Sequence, residues 1–323
     1  MGILILMPMY SLVTGGAGFI GSHLCDHLLK LGHNVVCCDD LSLGKKDNIS
    51  HNLNNPNFVF IQVNILDRLS FQDIFQTYKI DTVFHLAANS DIKAGSENLD
   101  RDLTITFNTT VECLYAAKNF NVKSFVFASS SAVYGRFDED MKETSGPLNP
   151  VSFYGAAKLA SEVYIHAMLE QTNMKAWIIR FPNVVGERLT HGVIHDFIKK
   201  LEVEPKKLEI LGNGKQKKPY VYVSDIVRGI VFSLTTMTEK YNVINIGVDS
   251  QTTVSAIAAM VAEEMKLSNV TFNYSGGEGG WIGDVSKFQY DLSKIHKLGW
   301  KASMSSDEAV RYSIQQELAY QNK

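Results

Sequence analysis

Five short apolar runs in the first half of the chain, "SLVTGG", "NVVCCDD", "FVFIQVN", "DTVFHLAA" and "SFVFASSS", each end in small or polar residues. Amphipathic stretches such as Ile20 to Leu31 and Leu103 to Asn119 lie between them. Continuous apolar runs read as strands buried on both faces, and a helix between successive strands makes each connection a right-handed crossover. The pattern predicts an α/β fold built on a doubly wound parallel sheet. Ligands of such sheets sit outside the carboxyl ends of the strands, so the polar residues there are the candidates for function.

After about Phe181 the pattern loosens into a polar, Gly- and Lys-rich connection, "LGNGKQKKPYVYVSD", and then short strands and helices. The expected division is a doubly wound domain over residues 9–181, to which later segments return, and a smaller C-terminal α/β domain over 182–323 that mainly carries the substrate. The chain has 323 residues and a formal net charge of -3, which gives no basic field for nucleic acid or a membrane surface. A small-molecule ligand is expected instead. Cys25, Cys37, Cys38 and Cys113 have no metal-ligand spacing, and the adjacent pair suits small buried residues better than a bridge. A reducing, cytoplasmic setting and no metal follow as expectations. "MGILILMP" has no basic flank or cleavage site and is too short to span a bilayer, so the fold is expected to begin at Met9.

"VTGGAGFIGSHL" sets Gly15, Gly18 and Gly21 between a strand and a helix that opens with Phe19 and Ile20. That spacing lets backbone amides approach a pyrophosphate while the helix N-terminus supplies partial positive charge. The next strand ends in Asp39, about twenty residues on, where a carboxylate hydrogen-bonds an adenosine ribose and repels a 2′-phosphate. NAD is therefore favoured over NADP, and Asp40 reads as a solvated turn residue. Asn64 and Ile65 stand at the next strand end, to flank an adenine. Leu86, Ala87 and Ala88 in "HLAAN" are small enough to let a cofactor lie against the backbone, or simply to pack; His85 reads as a structural strand histidine.

"TGGAGFIG", "HLAAN", "FASSSAVYG", "YGAAK" and "RFPNVVG", in this order, resemble the extended short-chain dehydrogenase/reductase family, most closely its branch of NAD-dependent nucleotide-sugar epimerases. The resemblance runs from about Ser11 to Trp300 and implies a Rossmann-type fold. It also implies that Tyr154 and Lys158, four apart on one helix face, act as the base and its cationic neighbour. A phenol with an ordinary pKa near 10 needs such help, from the ammonium and from a positive nicotinamide, to ionise near neutrality. Lys158 would also hold the nicotinamide ribose.

By the same resemblance Ser130, five residues before the glycine of "VYG", is the catalytic hydroxyl that bridges substrate and Tyr154. Ser129 then ends the strand with a backbone or cofactor hydrogen bond. Dehydratases of the family carry an Asp-Glu pair directly after this serine, and decarboxylases a Glu at the second of those positions. Here Ser131 and Ala132 stand there. Reversible hydride transfer is left.

On the substrate side the resemblance implies that Phe181 shapes the nicotinamide pocket and Asn183 meets the diphosphate or sugar. His191 and His195 either touch substrate or are solvated loop residues. The family's diphosphate-clamping arginine is replaced by Lys218, or Lys217, beside Tyr220, and a second arginine by Trp281, which either stacks on the ligand or fills the core. A lysine offers a point charge without the planar fork.

The expected activity is NAD-dependent inversion at C4 of a nucleotide-activated hexose, UDP-glucose/UDP-galactose or their N-acetyl relatives, through a 4-keto intermediate. A 4-dehydrogenase or 4-keto reductase with exchangeable cofactor would use the same Ser130, Tyr154 and Lys158. A non-catalytic dinucleotide sensor would be expected to have lost Tyr154 or Lys158. A homodimer through two helices of the first domain is expected by analogy.

Overall fold

The structure is a computed structural model and describes residues 9–137, 139–277 and 285–321. Seven strands form one parallel sheet: β1 (Tyr10–Thr14), β2 (Asn34–Asp39), β3 (Phe58–Gln62), β4 (Ile80–His85), β5 (Ser124–Ser130), β6 (Lys175–Phe181) and β7 (Tyr241–Asn245). Their order is β7-β6-β5-β4-β1-β2-β3, which reverses direction between β1 and β4. A crevice opens where neighbouring crossovers leave to opposite faces of the sheet.

Alternate strand residues feed two cores. Leu12, Val36, Val83, Phe125, Phe127 and Ile178 point to one face and pack on α2 (Arg68–Thr77), α3 (Thr109–Asn119) and α4 (Phe153–Leu169). Val13, Val35, Phe84, Val126, Ile179 and Ile244 point to the other and pack on α1 (Phe19–Lys30) and α6 (Val223–Thr236). A third core joins α5 (Val193–Val203), α7 (Val254–Glu264) and α8 (Ser306–Gln321) through Phe197, Ile257 and Val310. It includes Leu208 and Ile210, whose short strand pairs with Thr271–Tyr274.

The helix expected over Leu103 to Asn119 is broken in two, with a π segment over Leu103–Asn108 before α3. Here Thr109 and Thr110 turn their hydroxyls back onto the carbonyls of Ile105 and Thr106. β-Branched residues that bond back one turn are poor α-helix formers and bend the helices that contain them.

Among the described residues one ion pair is fully inside the protein. The Arg180 guanidinium on β6 donates through Nε and Nη2 to the Glu162 carboxylate on α4 at 3.0 and 2.6 Å. The carboxylate also accepts from the Ser129 hydroxyl, and Arg180 Nη1 donates to the Tyr134 hydroxyl at 3.0 Å. Removing one partner would strand the other charge in the interior. Glu162→Ala should therefore lose about 3–5 kcal/mol of stability in urea unfolding, and Glu162→Leu combined with Arg180→Met should lose markedly less.

Candidate active site

A cavity of about 690 Å³ runs along the carboxyl ends of the strands, in the upper half of the roughly 300–1,000 Å³ range of ligand sites. Its lining includes Gly15, Gly18, Phe19, Ile20, Asp39, Asn64, Ile65, Leu86, Ala87 and Ala88 at one end. Ser130, Tyr154, Lys158 and Phe181 follow, then Asn183, Lys218 and Tyr220. Trp281 lies outside the described residues. His191 lines the cavity and bonds the Ser90 carbonyl, whereas His195 pairs with Glu317 at 3.0 Å, away from it. Lys218 lines the cavity and Lys217 does not.

At the glycine turn Gly15 has φ +67°, and a Cβ there would meet the Ala87 backbone nitrogen at 2.8 Å. Any side chain would push the turn off β4. Gly18 leads into α1 without a side-chain cap, leaving the first N–H groups of the helix open to an anion. Asp39 accepts from Ala17 N at 3.0 Å and Leu41 N at 2.8 Å. Burial raises its pKa, and these amides pull it back, so the carboxylate is held by the turn it faces. Asp40, Ser42, Leu43, Gly44 and Asn48 line the cavity beside it, none of them a cation. Asp40 is exposed and caps the turn through Ser42 N. These residues fit a dinucleotide of the NAD type.

His85 is wholly buried, its ring nitrogens 2.8 Å from Thr14 Oγ1 and 3.0 Å from Thr110 Oγ1. Burial draws its pKa down to about 3, so it stays neutral and structural.

The chemistry-bearing end combines β5 with the start of α4. Ser152 caps α4, its hydroxyl accepting from Gly155 N at 3.1 Å. A Cβ on Gly155 would fall 2.5 Å from the Ala132 carbonyl oxygen, so only glycine lets the helix come this close to the serine turn. Tyr154 and Lys158 then face the end of β5. The Lys158 ammonium donates to the Ala128 carbonyl at 2.7 Å and lies 4.7 Å from the Phe127 ring centre.

Burial pulls the Lys158 pKa down to about 7 against the pull of Asp102 and Glu162. It pushes Tyr154 up to about 12, opposed by the neighbouring Ser130 hydroxyl. The sequence suggested that the lysine lowers the tyrosine. That expectation counted on a nicotinamide as well; the ammonium itself is held to a backbone carbonyl and lies 5.8 Å from the Tyr154 ring centre.

The three serines separate. Ser130 accepts from Ala132 N at 3.2 Å and faces Tyr154. Ser131 lines the cavity. Ser129 points away, donating to Glu162 instead of the backbone or cofactor partner expected for it. Glu162 and Arg180 escaped the sequence reading, although Glu162 lies four residues past Lys158 on the same helix face. Asp102 escaped too: it is buried, takes an N–H from Asn89 at 3.0 Å, and leaves Oδ2 without a partner among the described residues. Among the described residues no cluster of metal-ligating side chains occurs.

A parallel sheet with a dinucleotide turn on β1 and a Ser-Tyr-Lys group on β5 and α4 defines a nicotinamide-dependent enzyme. Residues 11–247 match the model of the NAD-dependent epimerase/dehydratase family, and the chain belongs to this family. A UDP-glucose 4-epimerase of Mycolicibacterium smegmatis is 35% identical over 69% of this chain and 72% of its own. The UDP-glucuronate 4-epimerase of Thermodesulfobacterium geofontis is 30% identical over 94% of this chain and 95% of its own. The crystal structure of a Bacillus cereus UDP-glucuronic acid 4-epimerase with UDP-glucuronic acid and NAD superposes with a TM-score of 0.87. It covers 97% of this chain and 100% of that one at 30% identity.

Asp39→Ala should weaken NAD binding at least tenfold, a loss of about 1.4 kcal/mol or more, and narrow the preference over NADP; fluorescence titration with both dinucleotides reads this.

Proposed function

We propose that the enzyme inverts C4 of a UDP-activated hexose through a 4-keto intermediate, with Ser130, Tyr154 and Lys158 at the reacting carbon. The observation that carries the reading is the wall beside Ser130. The turn Ser131–Val133 that follows it contributes Ser131 and Ala132 to the cavity and no carboxylate. Elimination of water or loss of a carboxyl group has no acid to serve it there. Hydride transfer needs none beyond Tyr154.

Bound NAD would supply reversible hydride transfer at C4. Tyr154 would take the O4 proton on oxidation to the 4-keto sugar and give it back on reduction after that sugar has turned its other face. Ser130 holds O4 against the tyrosine oxygen, and Lys158 fixes the ribose. The Tyr154 phenol, raised by burial, would ionise more readily beside the positive charge that a bound oxidised nicotinamide would bring. Gly15, Gly18, Phe19, Ile20, Asp39, Asn64, Ile65 and Leu86 to Ala88 form the cofactor half. Asn183, Lys218 and Tyr220 face the nucleotide diphosphate, in a half formed mainly by the chain after Phe181.

Two further readings accompany it. Leu99, Leu103, Tyr115, Val163 and Tyr164 are at least 45% exposed on α4 and the helical segments leading into and along α3, and this apolar face supports a homodimer. Four buried free thiols support a reducing, cytoplasmic setting. Among the described residues no helix is long and apolar enough to cross a membrane.

Incubated with UDP-glucose and no added cofactor, the purified protein should yield UDP-galactose by NMR, and Tyr154→Phe should reduce the rate at least 100-fold with NAD still bound. Turnover that consumes added NAD stoichiometrically would transfer the assignment to a dehydrogenase. In sedimentation velocity Val163→Glu/Tyr164→Glu should convert a dimer to a monomer; a monomeric parent protein would refute the dimer.

A further inference from the structure

Ser129 and Ser130 each work with a second buried or half-buried side chain, Glu162 and Tyr154. Ser131, the third hydroxyl of the run, faces the cavity, and behind it lies Tyr290. Tyr290 is 3% exposed, and its hydroxyl makes no well-formed hydrogen bond among the described residues, with the Ser131 hydroxyl close to forming one. Leaving a buried phenol oxygen unpaired is costly, of the order of a lost hydrogen bond with its desolvation. A phenylalanine would carry no such cost, so the hydroxyl calls for an explanation.

Its placement suggests one. Phe288, two residues earlier on the same extended segment, lines the cavity, and the Tyr290 ring packs edge-on against it at 5.9 Å. On its other side Tyr290 meets the Tyr134 ring edge-on at 6.1 Å. Tyr134 is fixed by Arg180 and Asn245, and its backbone N–H donates to the Ser131 carbonyl at 3.1 Å. The segment is tied down where Met141, a cavity-lining residue, donates its N–H to the Gln289 carbonyl at 2.8 Å. The ring thus cannot swing away. Burial pushes the phenol well above its ordinary pKa, so it remains a donor, and Ser131 is a hydroxyl near enough to oppose that rise.

We propose that Tyr290 is a positioning residue for the sugar: its phenol engages the Ser131 hydroxyl when a sugar nucleotide binds and holds that hydroxyl against the hexose beside the reacting carbon. Ser131 is then the group that touches the sugar, and Tyr290 acts through it. The unpaired phenol is a hydrogen bond held in reserve for the bound state, which raises affinity for the sugar and leaves the nucleotide untouched. This rests on the reading of the cavity as a UDP-hexose site, but not on which reaction follows.

The test compares UDP-glucose with UDP by calorimetry on the full-length, NAD-loaded protein. Tyr290→Phe should weaken UDP-glucose binding about five- to tenfold, the worth of one hydrogen bond, and leave UDP within about twofold. Ser131→Ala should do the same, and the double variant should be no weaker than either single one, because the two hydroxyls act as one unit. Thermal unfolding of Tyr290→Phe should match or exceed the parent. Unchanged UDP-glucose affinity in Tyr290→Phe, an equal loss for UDP, multiplicative losses in the double variant, or a parent protein that binds UDP-glucose no more tightly than UDP would each overturn the inference. Because the readout is binding, a protein that binds the sugar as stated yet fails to epimerise it refutes the proposed reaction while leaving Tyr290 its role.

Discussion

The Glu162–Arg180 ion pair is the tie on which the chemical end of the molecule depends. Two charges inside the protein need close pairing and further hydrogen bonds, and Glu162 accepts twice from Arg180 and once from Ser129. Arg180 reaches on to the Tyr134 hydroxyl and lies 4.9 Å from that ring. The pair fixes the rotation of α4 about its own axis. Tyr154 and Lys158, two turns and one turn earlier on that helix, therefore have one direction in which to project.

The same tie explains why three consecutive serines diverge. Ser129 is taken by the buried Glu162 carboxylate, Ser130 meets Tyr154 two turns earlier on the same helix, and the chain then turns at Ser131, whose hydroxyl joins the cavity wall. Lys158 is pinned by the Ala128 carbonyl. It is a spatial anchor first, and electrostatics at the tyrosine is left to whatever charge enters the cavity.

Much of this was legible in the sequence because strand ends announce themselves. Apolar runs that stop at Thr14, Asp39, His85 and Ser130 place those residues in one row, and glycine spacing marks the turn beside them. The legibility falls where partners come from far along the chain. Arg180 sits at the end of the apolar run "WIIRF", and nothing in that run points to Glu162, its partner on another element. Asp102 stands in no motif, and its partners, Asn89 and Thr106, come from two separate stretches of chain. Lys218 was distinguishable from Lys217 only once the strand's two sides were known. The lowering of Tyr154 by Lys158 was inferred from nearness on a helix face, whereas burial of both groups works in the opposite sense.

The seventh strand gives the molecule an assembly order. β7 pairs with β6 along its length, and Asn245 at its end accepts the Tyr134 hydroxyl, 111 residues away in sequence, while donating to the Met141 carbonyl. A nascent chain emerging from the ribosome can close the glycine turn against β2 and β4 early, since all three strands are made within the first 85 residues. The wall behind the serines cannot set until residue 245 has been synthesised.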